Sequence, residues 1–422
     1  MTGGRVARGL VAVSLTLLLT GCWLQPDFDG GRTRWNPWEE RITPANVASL
    51  EQVWSVEIPT TRGIMPNPLV YGDRVFLPTE TLAPIPGRFS SSIGVRALDA
   101  ATGDTVWEQA VNPPEVVGTP FHDLTFVEGE LWVDYLSSSA EDCEADTVRL
   151  GRDGTVIGEE ESQAIGGVMQ SRRYVVQTLR DGCGPLPTPQ ILSVRDSRTR
   201  ETLWTAAAGN FSTSLLAGDL VVTAAGTFPL GGCGAPTCNP IWTHSDIGSP
   251  VAAAADTDVF FYHPPFGSDA PGDLEAISRD TGARQWSARF PGSRAGFALD
   301  DDHIYATPNT NRTPMLHAYD VDGCGTATCA PAWQGTVGTG ESGLTPTVAG
   351  DVVYVPTRQG TIHAFAADGC GPSSTCAPIA TIDSGLGDHI RAMSVSGGRL
   401  FVVAYTAELT YTVTAFAPIA AS

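Results

Sequence analysis

Val95-Arg96-Ala97-Leu98-Asp99-Ala100-Ala101-Thr102-Gly103-Asp104-Thr105-Val106-Trp107 reads as a strand, a tight turn at Thr102-Gly103 and a second strand closing on tryptophan. The same hairpin returns at Leu274 to Trp286 around Thr281-Gly282, and in degenerate form at Leu192 to Trp204. A second signal accompanies it: a turn followed by a triplet rich in Val, Phe, Tyr and Leu. This one occurs eight times, at Gly72-Asp73, Gly129-Glu130, Arg172-Arg173, Gly218-Asp219, Thr257-Asp258, Asp302-His303, Gly350-Asp351 and Gly398-Arg399. The steps between copies run from 39 to 57 residues, the length of a four-stranded propeller blade. No long helical period intervenes. The expected fold is therefore all-β, an eight-bladed β-propeller of four-stranded antiparallel blades. The last unit, ending near Ala417, has no outer strand closing on tryptophan; Val47 to Ile58, with Trp54, supplies it and closes the ring. Thr43-Pro44 ahead of it predicts one helical turn.

A repeat running through most of 422 residues argues for one closed domain, 36–422, over two or three separate ones. Charged residues make up 17% and apolar ones 42%, enough for a large core and too little charge for a disordered chain. The formal charge is −21, so nucleic acid is excluded as a partner. All 25 basic residues are arginine, which excludes a phosphate-loop lysine and a Schiff-base nucleophile.

Residues 1–21 begin basic and continue with an apolar run, Leu10 to Leu19, about half of the ~20 residues that span a bilayer. The run ends Leu19-Thr20-Gly21-Cys22, which looks like a bacterial lipobox with Cys22 as the lipidated first mature residue; the alternative is an ordinary signal peptide before an incidental cysteine. Residues 22–35 carry Pro26, Gly30 and Gly31 with little hydrophobic pattern and read as a flexible tether. The expected location is the extracytoplasmic face of a cell membrane, held by the Cys22 lipid.

Asn36-Pro37, Ile42-Thr43-Pro44-Ala45-Asn46-Val47, Leu50 and Trp54, followed by the Ala-Leu-Asp-x-x-Thr-Gly-x-x-x-Trp hairpin, resemble the pyrroloquinoline-quinone-type repeat propellers, the quinoprotein alcohol dehydrogenase-like fold. The resemblance covers roughly Asn36 to Ala417. It implies that Trp54, Trp107, Trp204, Trp242, Trp286 and Trp333 dock neighbouring blades, with Ala380 where a seventh would stand. The family holds quinoprotein dehydrogenases and non-catalytic propellers such as the lipoprotein of the outer-membrane protein assembly machine. Its large dehydrogenases stack the quinone on two adjacent cysteines and hold calcium with Glu, Asn and Asp. This chain has no adjacent cysteine pair and no calcium-loop spacing, although smaller members dispense with the cysteines.

Six cysteines form local pairs, Cys233 with Cys238, Cys324 with Cys329 and Cys370 with Cys376, where other units have Thr-Gly. Disulfides there would staple the two outer strands of a blade; a metal site, the alternative, wants closer spacing or histidine partners. Cys143 and Cys183 occupy similar positions in neighbouring units and are expected to bridge. His317 and His363 repeat at one strand position and read as packing, while His122, His263 and His389 lie near loops. Glu159-Glu160-Glu161 reads as a solvated turn and Asp300-Asp301-Asp302 as a hairpin loop. Ligand-reading loops are expected at Thr79 to Ser92, Ser137 to Asp146 and Tyr262 to Pro271, the last offering Tyr262, His263 and Phe266 as exposed aromatic contacts.

The expectation is a non-catalytic scaffold that binds another envelope protein, with no catalytic residue, metal or cofactor. Its alternatives are a dehydrogenase using pyrroloquinoline quinone with calcium, and a glycan- or peptide-sensing module.

Overall fold

The computed structural model describes residues 22–58, 67–85, 88–111, 121–138, 143–162, 164–180, 190–209, 214–243, 249–253, 258–263, 271–290, 295–308, 315–336, 344–371, 375–385, 390–405 and 411–419. Eight small sheets follow one another along the chain. Blade 1 holds Leu69–Tyr71, Arg74–Ile85, Arg88–Asp99 and Thr105–Ala110; blade 2 holds Phe121–Val127, Glu130–Ser138, Cys143–Leu150 and Val156–Ser162. Blade 3 runs from Ala164–Ser171 to Thr202–Gly209, blade 5 from Ser249–Ala253 to Arg284–Phe290, blade 6 from Ala295–Leu299 to Trp333–Thr336 and blade 7 from Thr347–Ala349 to Ala380–Asp383. Blade 4 is a three-stranded sheet from Leu215–Ala217 to Gly226–Pro229, its outer position marked by a single bridge from Thr227 to Trp242. Blade 8 is Ile390–Ser396, Arg399–Tyr405 and Tyr411–Pro418, completed by Leu50–Ile58 pairing antiparallel with the last of these. The chain's beginning thus covers the edge its end would leave open.

The first strands of successive blades neighbour one another, so they line the axis. The second strand of a blade is buried on both faces: Val352–Pro356 in blade 7 is buried at every position, which explains apolar runs in place of strict alternation. The one described helical element is the 3-10 turn Val47–Ser49, entered through a turn in which the Thr43 carbonyl accepts from the amides of Asn46 and Val47.

Six tryptophans join the blades. Five stand on outer strands and Trp242 at the lone bridge of blade 4, and for Trp54, Trp107, Trp204 and Trp286 the register shifts by one residue just before the tryptophan. That bulge throws the preceding side chain outward, leaving Val53, Val106 and Leu203 exposed, and re-aims the indole at the next blade. There the ring covers a turn glycine: Trp54 on Gly103, Trp107 on Gly154, Trp204 on Gly232, Trp242 on Gly282, Trp286 on Gly323 and Trp333 on Gly369. Five of these indoles donate to a carbonyl of the same turn, those of Ala100, Arg152, Leu230, Arg279 and Val321. Trp333 packs without such a bond.

Two joints differ. In blade 7 Ala380 leaves room, and Ile42, Val47 and Leu50 fill it, clustering with Ala380 and Ile382. In blade 2 the position after the bulge is Gly158, and the Arg149 guanidinium occupies the space its side chain would take. Arg149 pairs with Glu130 and Glu160, and Glu160 takes Arg195 and Arg200 of blade 3. Arg200 stands at φ +63, where other turns place glycine. Glu159-Glu160-Glu161 is therefore strand carrying an inter-blade ion network, correcting its reading as a solvated turn.

Candidate functional site

The least expected element is the stretch before Asn36. Residues 22–35 are no tether: Trp23 is fully buried, Phe28 nearly so, and the segment is laced once around the end of the axis where the inner-hairpin turns lie. Trp23 exchanges both backbone hydrogen bonds with Val70 of blade 1, and Leu24 accepts from the Phe126 amide of blade 2. The Gln25 side chain bonds both backbone groups of Gln170 in blade 3. Gly30, Thr33 and Arg34 accept from Leu216, Leu299 and Val348 of blades 4, 6 and 7. Trp35–Asn36 then adds a parallel strand to Thr347–Ala349, and the Asn36 amide reaches the Val395 carbonyl of blade 8. A Cβ on Gly30 would stand 2.4 Å from the Leu216 side chain, so a larger residue there would have to displace that leucine. The physical reason is plain afterwards: Trp23, Phe28 and Trp35 are too much apolar surface for a solvated linker, and they supplied the signal that Pro26 and the glycines obscured.

The strap brings charge into the channel end. Asp27 pairs with Arg32 and Arg34, and Asn67 donates to it. Asp29 accepts from the backbone and hydroxyl of Thr33; burial still pushes its carboxyl up to about 6. Asp123, on the first strand of blade 2, is pushed up to about 8 by burial and by the facing Asp134, against a hydrogen bond from the Leu124 amide and the charge of Arg32. Burial takes Asp134 to about 7, opposed by the Thr147 hydroxyl that donates to it. Beside the strap lies a cavity of about 460 Å³ lined by Gln25, Asp29, Trp35, Gln170, Asp300 and Asp322, among others. Asp300-Asp301-Asp302 is the hairpin loop expected, joining Ala295–Leu299 to His303–Pro308, and within it Asp300 is buried, accepting from Tyr305 and from the amides of Asp302 and His303.

Cys22 is half-buried at the start of the strap and its thiol is free. Cys233–Cys238, Cys324–Cys329 and Cys370–Cys376 are disulfides. They do not staple two strands of one blade. Each closes a loop whose end pairs in parallel with the outer strand of the preceding blade: Thr237 beside Thr205, Thr328 beside Ser287, and Thr375–Cys376 beside Gln334 and Gly335. Cys183 and the side chain of Cys143 lie outside the described residues, so their bridge stands as an expectation.

Tyr262 is not an exposed contact. It lies in Asp258–His263 with its ring in the core against Phe290 and Phe297, and burial, then Asp273, pushes its hydroxyl up to about 12. Strand alternation accounts for this, since Phe260 and Tyr262 share the inward face. His263 bonds Glu275, which also holds Arg284; Phe266 lies outside the described residues. His317 sits between Phe290 and Tyr319 with Gln334 on its ring nitrogen, and burial lowers it to about 4, leaving it neutral. His363 meets Thr381 in the same way. His389 and the side chain of His122 lie outside the described residues. Of the loops, Thr79 to Ser92 is part of a long hairpin paired through Ile85 and Arg88, extending beyond its outer strand, which pairs only as far as Gly94.

The family described as outer membrane protein assembly factor BamB matches residues 270–370. No curated protein matches the sequence significantly. Among solved structures, the quinohemoprotein alcohol dehydrogenase from Comamonas testosteroni is similar with a TM-score of 0.58 and 13% identity, over 96% of this chain and 81% of its own. A europium-containing methanol dehydrogenase gives 0.57 and 11%, over 94% and 98%. The Dos1 propeller gives 0.57 and 9%, over 87% and 95%. These likenesses establish the pyrroloquinoline-quinone-like propeller fold. Asp27, Asp29 and Asp123 are committed to arginines, Thr33 and a backbone amide, and among the described residues no three His, Cys, Asp or Glu converge as metal ligands.

Proposed function

We propose that the chain is an extracytoplasmic lipoprotein, anchored through Cys22, whose propeller is a non-catalytic scaffold for another envelope protein. The observation that carries this reading is the strap. The chain passes from Cys22 straight onto the channel end and ties it to the blades with its own backbone, placing paired charges there. The side chains that recur from blade to blade support it, because the tryptophans dock blades and His317 is buried and neutral. The match of residues 270–370 to a family described as an outer membrane assembly factor points to the same compartment and role. The test uses full-length protein from its own membrane. Mass spectrometry of the N-terminal peptide should show lipid on Cys22, and crosslinking in intact envelope should yield a stoichiometric envelope protein lost when Cys22→Ser releases the scaffold. Dye reduction that depends on added quinone and calcium would overturn the non-catalytic reading.

A further inference from the structure

We propose that the face of the inner-hairpin turns lies against the lipid bilayer, so that the propeller stands on the membrane with its axis upright and its opposite face presented outward. This rests on the lipid at Cys22. Trp23 is bonded to Val70 in both directions at 2.8 Å, antiparallel to Leu69–Tyr71. Cys22 therefore lies beside Tyr71, at the end of that strand which leads into the Gly72-Asp73 turn. One residue advances at most ~3.6 Å, so no slack separates the anchor from a body fixed by the strap to blades 1, 2, 3, 4, 6, 7 and 8.

A second feature on that face fits a bilayer surface. Trp35–Asn36 runs parallel to Thr347–Ala349, so Pro37 and Trp38 emerge beside the Gly350-Asp351 turn. Glu39 and Arg41 continue over the next turn, bonding Gly398 and Gly397. Trp38 is 59% exposed, with Phe28 behind it at 5.7 Å. An indole held outward on an anchored face suits the headgroup layer.

The experiment places a fluorophore at either end of one strand, Val352–Pro356, in lipid-bearing full-length protein: Asp351→Cys on the turn face and Arg358→Cys at the other end, ~20 Å away. Zwitterionic vesicles carry a headgroup quencher. The Asp351→Cys label should be quenched at least threefold more than the Arg358→Cys label. Trp38→Ser should weaken that contrast, and a fifteen-residue Gly-Ser insertion between Cys22 and Trp23 should abolish it while flotation with the vesicles persists. Equal quenching with lipid present on Cys22 overturns the orientation alone. A Cys22 without lipid mass overturns the anchor, and this proposal with it.

Discussion

Gly154 shows what a single residue carries at a blade joint. Its φ of +85 is a conformation L side chains rarely adopt, and the Trp107 ring stands 2.8 Å from where a Cβ would be. Gly72 shares the first constraint, at φ +62, but nothing lies within 4 Å of it. Gly154→Ala therefore combines backbone strain with displacement of a docked indole and should cost about 3 kcal/mol, whereas Gly72→Ala should cost about 1 kcal/mol. Urea unfolding of the two variants separates the terms; equal losses would mean that the indoles are not what fixes the spacing of the blades. Arg200 illustrates the converse, since it accepts φ +63 and gains the Glu160 carboxylate. Burial works to raise Glu160, yet the Arg200 and Arg195 guanidiniums more than offset it and hold the carboxyl below its usual range.

Among elements, the disulfide loops and the blade 2–3 joint do the same work by different chemistry. Each loop lays an extra bridge on the preceding blade, as when Ser287 donates to Ala327 and accepts from the Cys329 amide. Replacing Cys324 and Cys329 by serine opens a loop with a separation of 5 residues. The expected loss is about 2 kcal/mol, with faster hydrogen exchange at the amides of positions 287 and 329; unchanged exchange there would show the clasp to be independent of its disulfide. At the blade 2–3 joint, Glu160→Gln leaves the arginines 149, 195 and 200 facing a neutral amide and should cost about 2 kcal/mol, an effect read by chemical denaturation at pH 7. These cases also mark what the sequence made legible. The eight inner hairpins, the closing strand around Trp54 and the local cysteine pairs depend on contacts between near neighbours in the chain or on a repeated pattern, and such signals survive in one dimension. The strap and the Glu160–Arg200 pair depend on partners tens to hundreds of residues away. Glu160 looks like any surface glutamate until Arg200 of the next blade is placed beside it. Tyr262 looks like a loop aromatic until Phe297 covers it.

For the whole molecule, the strap turns a ring of blades into a unit tied across its axis and buries carboxyls where water cannot solvate them. Asp29, Asp123 and Asp134 have folded values raised from 3.8 to about 6, 8 and 7. A raised carboxyl binds its proton more tightly in the folded chain, so its contribution is fully present below the unfolded value and is lost as pH rises through the folded one. Glu160 has the opposite sign: its contribution is present above the unfolded value of 4.5 and is lost as pH falls. The two together place maximal stability on the acid side, at about pH 4 or below, where the three aspartates are protonated in both states, with a decline toward pH 8. At ~1.4 kcal/mol per pH unit, Asp123 alone accounts for a loss on the order of 3 kcal/mol between pH 5 and pH 8. Asp123→Asn retains an oxygen for the Leu124 amide but has no proton to lose, so its thermal midpoint should fall much less over that interval than that of the wild type. The opposing acid limb should survive in Asp123→Asn and shrink in Glu160→Gln, because Glu160 is held down by the blade 3 arginines and not by Asp123. A wild-type midpoint that climbs from pH 5 to pH 8, in parallel with Asp123→Asn, would mean that the carboxyls under the strap are solvated and that the channel end is open to water.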